Sequence, residues 1–129
     1  MRILLTHPAV LVFVGGGAGS LLRYWAGRLI PATFSGTPFP NAILLVNVLA
    51  SFVLGAVVGW VINRAAGDEA RLLIGVGFCG GLSTFSSFSY DTVVLLQNGR
   101  LAAALLNISL NVLFCLLASA GGLTLGKGL

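Results

Sequence analysis

The chain has 129 residues, 57% of them hydrophobic and only 8% charged, with a mean hydropathy of +1.04. A water-soluble domain of this size needs far more charge to cover its surface, so the composition excludes an ordinary soluble fold. The net charge of +4 does not point to nucleic acid either, because the basic residues stand singly at the ends of apolar blocks.

A membrane-spanning helix needs about 20 mostly apolar residues, and four blocks meet that requirement: 8–30, 41–62, 72–97 and 101–125. They use most of the chain, which reads as a single all-α membrane domain, residues 1–129, lying in a lipid bilayer. The first block is too long and glycine-rich for a cleaved signal peptide and is expected to be a helix of the mature protein. Along it, Gly15, Gly19, Arg23 and Gly27 recur every four residues and so share one helical face. Small residues at that spacing let helices approach closely. Arg23, near the end of the block, either snorkels to the interface or forms a positive collar at the mouth of an anion path.

The second block carries Asn47, Ser51, Gly55 and Gly59 on one face, and the fourth carries Asn107, Asn111, Cys115 and Ser119. Asparagines in membrane spans either hydrogen-bond helices together or line a polar path. For Asn47, Asn107 and Asn111 both readings stay open on spacing alone. Cys79 and Cys115 fall inside spans, and two thiols so placed are expected to be small apolar packers.

The third block contains "GFCGGLSTFSSFS", residues 77–89. Glycine weakens helix, and serine and threonine compete for its hydrogen bonds, so a break is expected near Gly80–Ser83. Backbone that leaves helix at membrane depth survives only where it is buried in protein or lines a cavity. Freed carbonyls there can bind a cation, and a half-helix N-terminus favours an anion. Phe85 and Phe88 follow directly, three apart, and an aromatic ring presents a positive edge that can meet a small anion.

Four spans put both termini on one side. That side carries Arg2, Arg64, Arg71 and Lys127, and the other Arg23, Arg28 and Arg100. So even a distribution gives little orientation bias. Either one orientation is weakly preferred, or the chain inserts both ways and pairs with an inverted copy of itself.

Three segments together resemble one family. "GFCGGLSTFSSFS" is similar to the GFxGGxTTFSTFS-like signature of the Fluc (CrcB) fluoride channels, and "GSLLRY" and "VNVLASFVLG" match that family's first and second helices. The resemblance spans three of four helices in order. It implies four helices per chain, the third broken near its middle, in an antiparallel, dual-topology homodimer with two fluoride pores in the plasma (inner) membrane. It further implies passive fluoride export, which lowers cytoplasmic fluoride and gives fluoride resistance. By position, the pore residues would be Asn47, Phe85 and Phe88, with Thr84 among the third-helix hydroxyls and Asn107 and Asn111 on the polar track, while Arg23 would sit in the vestibule. A structural sodium ion at the dimer centre would be held by the backbone carbonyls of Gly80 and Ser83.

The chain departs from the family pattern in places. Ser83 and Ser87 replace threonines, Asp91 replaces a glutamate, Ala42 and Ile43 stand where Gly-Thr is common, and Asn107 and Asn111 replace a tyrosine and a serine. Two other classes are weighed against the channel. A small proton-coupled multidrug or cation exporter needs a carboxylate inside its spans, yet the first two spans hold no Asp or Glu. A non-transporting accessory subunit would use its polar stripes only as glue. An enzyme is not expected, since lone His7 and three scattered carboxylates form no catalytic pair.

Overall fold

The computed structural model describes residues 7–64 and 67–129; Arg2, counted above among the charges, lies outside them. Among the described residues, four helical segments are long and apolar enough to cross a membrane: Pro8–Leu29, Asn41–Arg64, Asp68–Gln97 and Leu101–Gly128. The second, third and fourth run further than the hydropathy blocks indicate. Asp68 and Glu69 open the third span as its polar first turn, where acidic side chains suit the helix dipole.

Helix α1 (Pro8–Leu29) begins with proline at its first position, where the missing N–H costs nothing, and the His7 imidazole caps it by accepting the Ala9 N–H at 3.3 Å. A two-residue antiparallel hairpin, β1 (Thr33–Phe34) and β2 (Thr37–Pro38), connects α1 to α2 (Asn41–Arg64). Its turn residues Ser35 and Gly36 both have positive φ, 48° and 79°, the geometry that matches the twist of a tight hairpin. The Asn41 amide ties this link down by donating to the carbonyls of Pro31 at 2.9 Å and Thr33 at 2.7 Å.

The third span is composite. A turn of α3 (Asp68–Ala70) leads into a nine-residue π-helix, Arg71–Cys79, then a turn of α4 (Gly80–Leu82). Two residues, Ser83 and Thr84, are extended, with ψ of 155° and 115°, before α5 (Phe85–Gln97) resumes. A Schellman motif closes α5. Gly99, at φ 71°, donates to Leu96 O at 3.0 Å and Arg100 to Leu95 O at 2.9 Å. Helix α6 (Leu101–Gly128) follows at once and runs back across.

The bundle is held by two close helix pairings, and glycine makes both possible. The α2–α6 contact is the most extensive in the molecule, followed by α1 against the π-helix. A Cβ on Gly19 would lie 2.1 Å from the Phe78 carbonyl oxygen, and one on Gly122 would lie 2.1 Å from that of Phe52. Backbones this near each other gain dispersion and weak Cα–H···O contacts, which are the attractions available where lipid removes the hydrophobic drive between helices. The predicted stripes therefore meet as pairs. Gly15 and Gly19 seat on the π-helix, and Gly55 and Gly59 seat on α6, whereas a Cβ on Gly27 would meet nothing within 4 Å.

The break expected near Gly80–Ser83 is present, with Ser83 at its start. The third-span glycines do not break the helix themselves: Gly77 and Gly81 are contact points against α1, where a Cβ would meet Val12 O at 2.9 Å and Gly16 O at 2.2 Å. The break falls at Ser83 and Thr84, where Asn47 Oδ1 takes the Thr84 N–H and Thr84 Oγ1 takes the Ser87 N–H. A small core forms where α1, α2 and the first half of the third span meet, built from Val46, Ala50, Cys79 and Leu82. Most other large apolar side chains face outward, Phe13 at 82% exposure and Leu29 at 81% among them, as lipid contact requires.

The packing predicts that Gly19→Ala, although it favours helix locally, destabilises the fold by about 1–3 kcal/mol through overpacking. Gly17→Ala, with nothing within 4 Å, is expected to be neutral or slightly stabilising. Thermal unfolding of both variants in detergent micelles checks the contrast.

Candidate functional site

The two extended residues of the third span set up the site. In an unbroken helix the Thr84 N–H would donate to the Gly80 carbonyl, and the Ser87 N–H to that of Ser83. Here the Thr84 N–H donates instead to Asn47 Oδ1, across from α2, at 2.8 Å. The Ser87 N–H donates to Thr84 Oγ1 at 3.2 Å, making Thr84 the N-cap of α5. Side chains thus take the donors, and the carbonyls of Gly80 and Ser83 lose their helical partners. Oxygens of that kind suit a hard monovalent or divalent cation. A Cβ on Gly80 would meet nothing within 4 Å, so that edge of the chain is open.

Hydroxyls gather around the cap. Thr84 Oγ1 lies 3.1 Å from Ser86 Oγ and donates to Ser87 Oγ at 3.2 Å. Ser83 Oγ turns the other way and donates to Cys79 O at 2.9 Å. The rings of Phe85 and Phe88 follow with centroids 5.5 Å apart and planes tilted by 50°, so they do not stack face to face. Phe85 is 79% exposed.

Beside these groups is a cleft of about 260 Å³ between α2, α5 and α6, lined on the third span by Ser83, Thr84, Phe85 and Phe88 and on the other helices by Asn47 and Asn111. Ser51, Val112 and Cys115 complete the wall. Ser51 and Cys115 belong to stripes visible in the sequence, four residues beyond Asn47 and Asn111. Their place in the wall follows only once α2 and α6 are known to face each other.

The three asparagines form one network. Asn47 Nδ2 donates to Asn111 Oδ1 at 3.0 Å, and Asn111 Nδ2 donates to both Asn107 Oδ1 and Asn107 O, each at 3.0 Å. Asn107 Nδ2 donates to Thr92 Oγ1 at 2.9 Å, and the Thr92 hydroxyl donates to Phe88 O at 2.7 Å. Asn107 was expected in the path with Asn111. It lies instead behind it, fully buried, because α6 turns that position toward α5 rather than toward the cleft. Thr92 is the member that sequence reading missed, since one threonine in an apolar helix gives no signal until its partner is known. Arg23 is half-buried on α1, one turn past Gly19, and does not line the cleft. Gly80 stands at its edge of the break, also outside the wall.

A bundle of membrane-crossing helices, one of them broken beside a cleft of amide, hydroxyl and aromatic groups, defines a small multi-pass membrane protein with the features of an ion-conducting path. The comparisons agree. The model of the family described as CrcB-like protein, Camphor Resistance (CrcB), matches residues 10–123, and the chain belongs to this family. Curated relatives carry the name fluoride-specific ion channel FluC. That of Pyrococcus furiosus is 47% identical over 108 residues, 83% of this chain and 85% of its own. That of Klebsiella pneumoniae is 45% identical over 104 residues, 79% and 80%. That of Methanocaldococcus jannaschii is 43% identical over 108 residues, 84% and 85%.

Replacing Asn47 by leucine strands both the Thr84 N–H and the Asn111 carbonyl oxygen. The expected cost is about 1–3 kcal/mol for each stranded group. It is read from thermal unfolding together with faster hydrogen exchange at the Thr84 amide.

Proposed function

We propose that this chain is a fluoride-specific channel that lets fluoride leave the cell passively across the plasma membrane. The observation that carries this reading is the cleft at the broken third span, where the Asn47 amide, the Thr84 hydroxyl cluster and the tilted Phe85–Phe88 pair converge. Fluoride is small and strongly hydrated, so a path must replace its water with donors and positive ring edges held close together. Larger chloride is disfavoured by the same narrow, donor-lined route. The curated relatives named above are fluoride-specific channels, and the first two spans hold no carboxylate for proton coupling. Passive conduction fits that combination.

The working unit in this reading is an antiparallel homodimer with two pores. Supporting it is the open side of a polar-lined cleft at membrane depth. Asn47, Ser51, Ser83 and Thr84 line a cleft open on one side and Ser86 is exposed, and hydrocarbon offers such polar groups no partner. Another protein surface must cover them, and a second copy inserted the other way fits the near balance of charge on the two sides, four against three. The carbonyls of Gly80 and Ser83 fit a hard cation chemically. Two per chain give four from a pair, and they would hold a structural sodium ion. When bound, that ion supplies fixed positive charge near the anion route. Arg23 would add positive charge toward the vestibule.

Pure protein in liposomes, followed by fluoride- and chloride-selective electrodes, tests the reading: rapid fluoride release without chloride release is expected. No fluoride release from folded, reconstituted protein would overturn it. Phe85→Ile removes a ring edge and Asn47→Asp places a negative charge on the route. Each is expected to lower fluoride release at least about a hundred-fold, with size-exclusion profiles showing that assembly persists.

A further inference from the structure

The hydrogen bonds among the asparagines have a direction, and that direction divides their roles. Thr84 N–H is a backbone donor, so the Asn47 atom facing it must be the carbonyl oxygen Oδ1. Asn47 therefore turns its NH2 group toward Asn111, which must answer with its own oxygen. Asn111 then turns its NH2 group toward Asn107, where it meets two acceptors, the side-chain oxygen and the backbone carbonyl. Asn107 in turn donates to Thr92, and Thr92 to the Phe88 carbonyl, a pure acceptor. Flipping any single amide would set donor against donor or acceptor against acceptor. Asn107, Asn111 and Thr92 are nearly or wholly excluded from the surface, at 0%, 5% and 7% exposure.

An amide nitrogen carries two hydrogens. Both of those on Asn111 are directed at Asn107, and its oxygen is taken by Asn47, although Asn111 lines the cleft. Asn47 is different. One hydrogen goes to Asn111, its oxygen is held by Thr84, and the second hydrogen remains on a half-buried side chain that lines the same cleft. We propose that the Thr92–Asn107–Asn111 chain is a positioning relay rather than an anion-binding track: it locks the Asn47 amide with a donor, and never its oxygen, facing the anion. This rests on the channel reading above and assigns α6 a role one step removed from the ion.

The relay is reached through Thr92, which touches neither the cleft nor Asn47. Thr92→Val keeps the shape but removes the acceptor for Asn107 and the donor to Phe88 O. It is expected to lower fluoride efflux from liposomes about ten-fold, while Thr92→Ser, which keeps the hydroxyl, restores it. Asn111→Ala is expected to lower efflux in the wild-type background but to add nothing once Asn47→Ser is present, because its effect passes through Asn47. Side-chain amide resonances of full-length ¹⁵N-labelled protein in lipid nanodiscs supply an independent readout. Sodium fluoride is expected to shift the Asn47 pair and leave the Asn111 pair in place, and Thr92→Val is expected to shift the Asn47 pair without fluoride.

Fluoride shifts at Asn111 as large as those at Asn47, or a full Asn111→Ala penalty on the Asn47→Ser background, would make Asn111 a ligand and overturn the proposal. So would unchanged efflux and an unmoved Asn47 resonance in Thr92→Val. Failure of the channel reading is separate. Wild-type protein would then release no fluoride, and the response of Asn47 to Thr92→Val would still decide whether the relay exists.

Discussion

The hydrogen bond from the Thr84 backbone to Asn47 Oδ1, at 2.8 Å, is the contact on which the rest of the molecule depends. A backbone N–H released from helix inside a bilayer has no water to turn to, and leaving it bare costs several kcal/mol. Asn47 supplies the acceptor from another helix, and Thr84 repeats the move one turn later by capping Ser87. With these two donors taken, the third span can open at Ser83 and Thr84 at a much lower cost in stranded amides. The freed Gly80 and Ser83 carbonyls, the hydroxyl cluster and the re-aimed α5 with Phe85 and Phe88 all follow from that opening.

Such a bond tolerates little movement, which explains why the helices that carry it are drawn so close. Asn47 sits on α2, and α2 is fixed against α6 by Gly55, Gly59, Gly122 and Gly126, each resting on backbone of the opposite helix. The first half of the third span is fixed against α1 in the same way through Gly15, Gly19, Gly77 and Gly81. Two rigid pairs therefore meet at the break, and the small core of Val46, Ala50, Cys79 and Leu82 joins them. Glycine packing and the polar site are parts of one construction: the first sets positions to within a fraction of an ångström, and the second requires it.

Much of this is legible in the sequence because membrane helices obey simple rules. Apolar block lengths give the spans, and a four-residue period of small and polar residues gives the contact faces. The cluster of hydroxyls after Gly80 and Gly81 locates the break to within about a turn. What stays hidden depends on which helices pair. Gly77 and Gly81 read as helix breakers, since a local rule cannot show that α1 lies against them. Thr92 carries no local mark, and Asn107 and Asn111 look equivalent until α6 is oriented and one of them proves to face α5. The hairpin at Thr33–Pro38 was equally invisible, resting on two positive-φ residues and the Asn41 amide.

The polarity of the asparagine network bears on how a neutral side chain can favour an anion at all. A free asparagine offers an oxygen and an amide group with equal ease and so cannot tell an anion from a cation. Selection between them needs the oxygen to be occupied by something that will not release it. A backbone N–H at a helix break is such a group, because it has no other acceptor to turn to in hydrocarbon. The break that frees carbonyls on one side therefore also holds the Asn47 oxygen and leaves an amide donor toward the cleft on the other. A donor aimed in this way offers an anion a partner without any ionised side chain having to be buried to supply it.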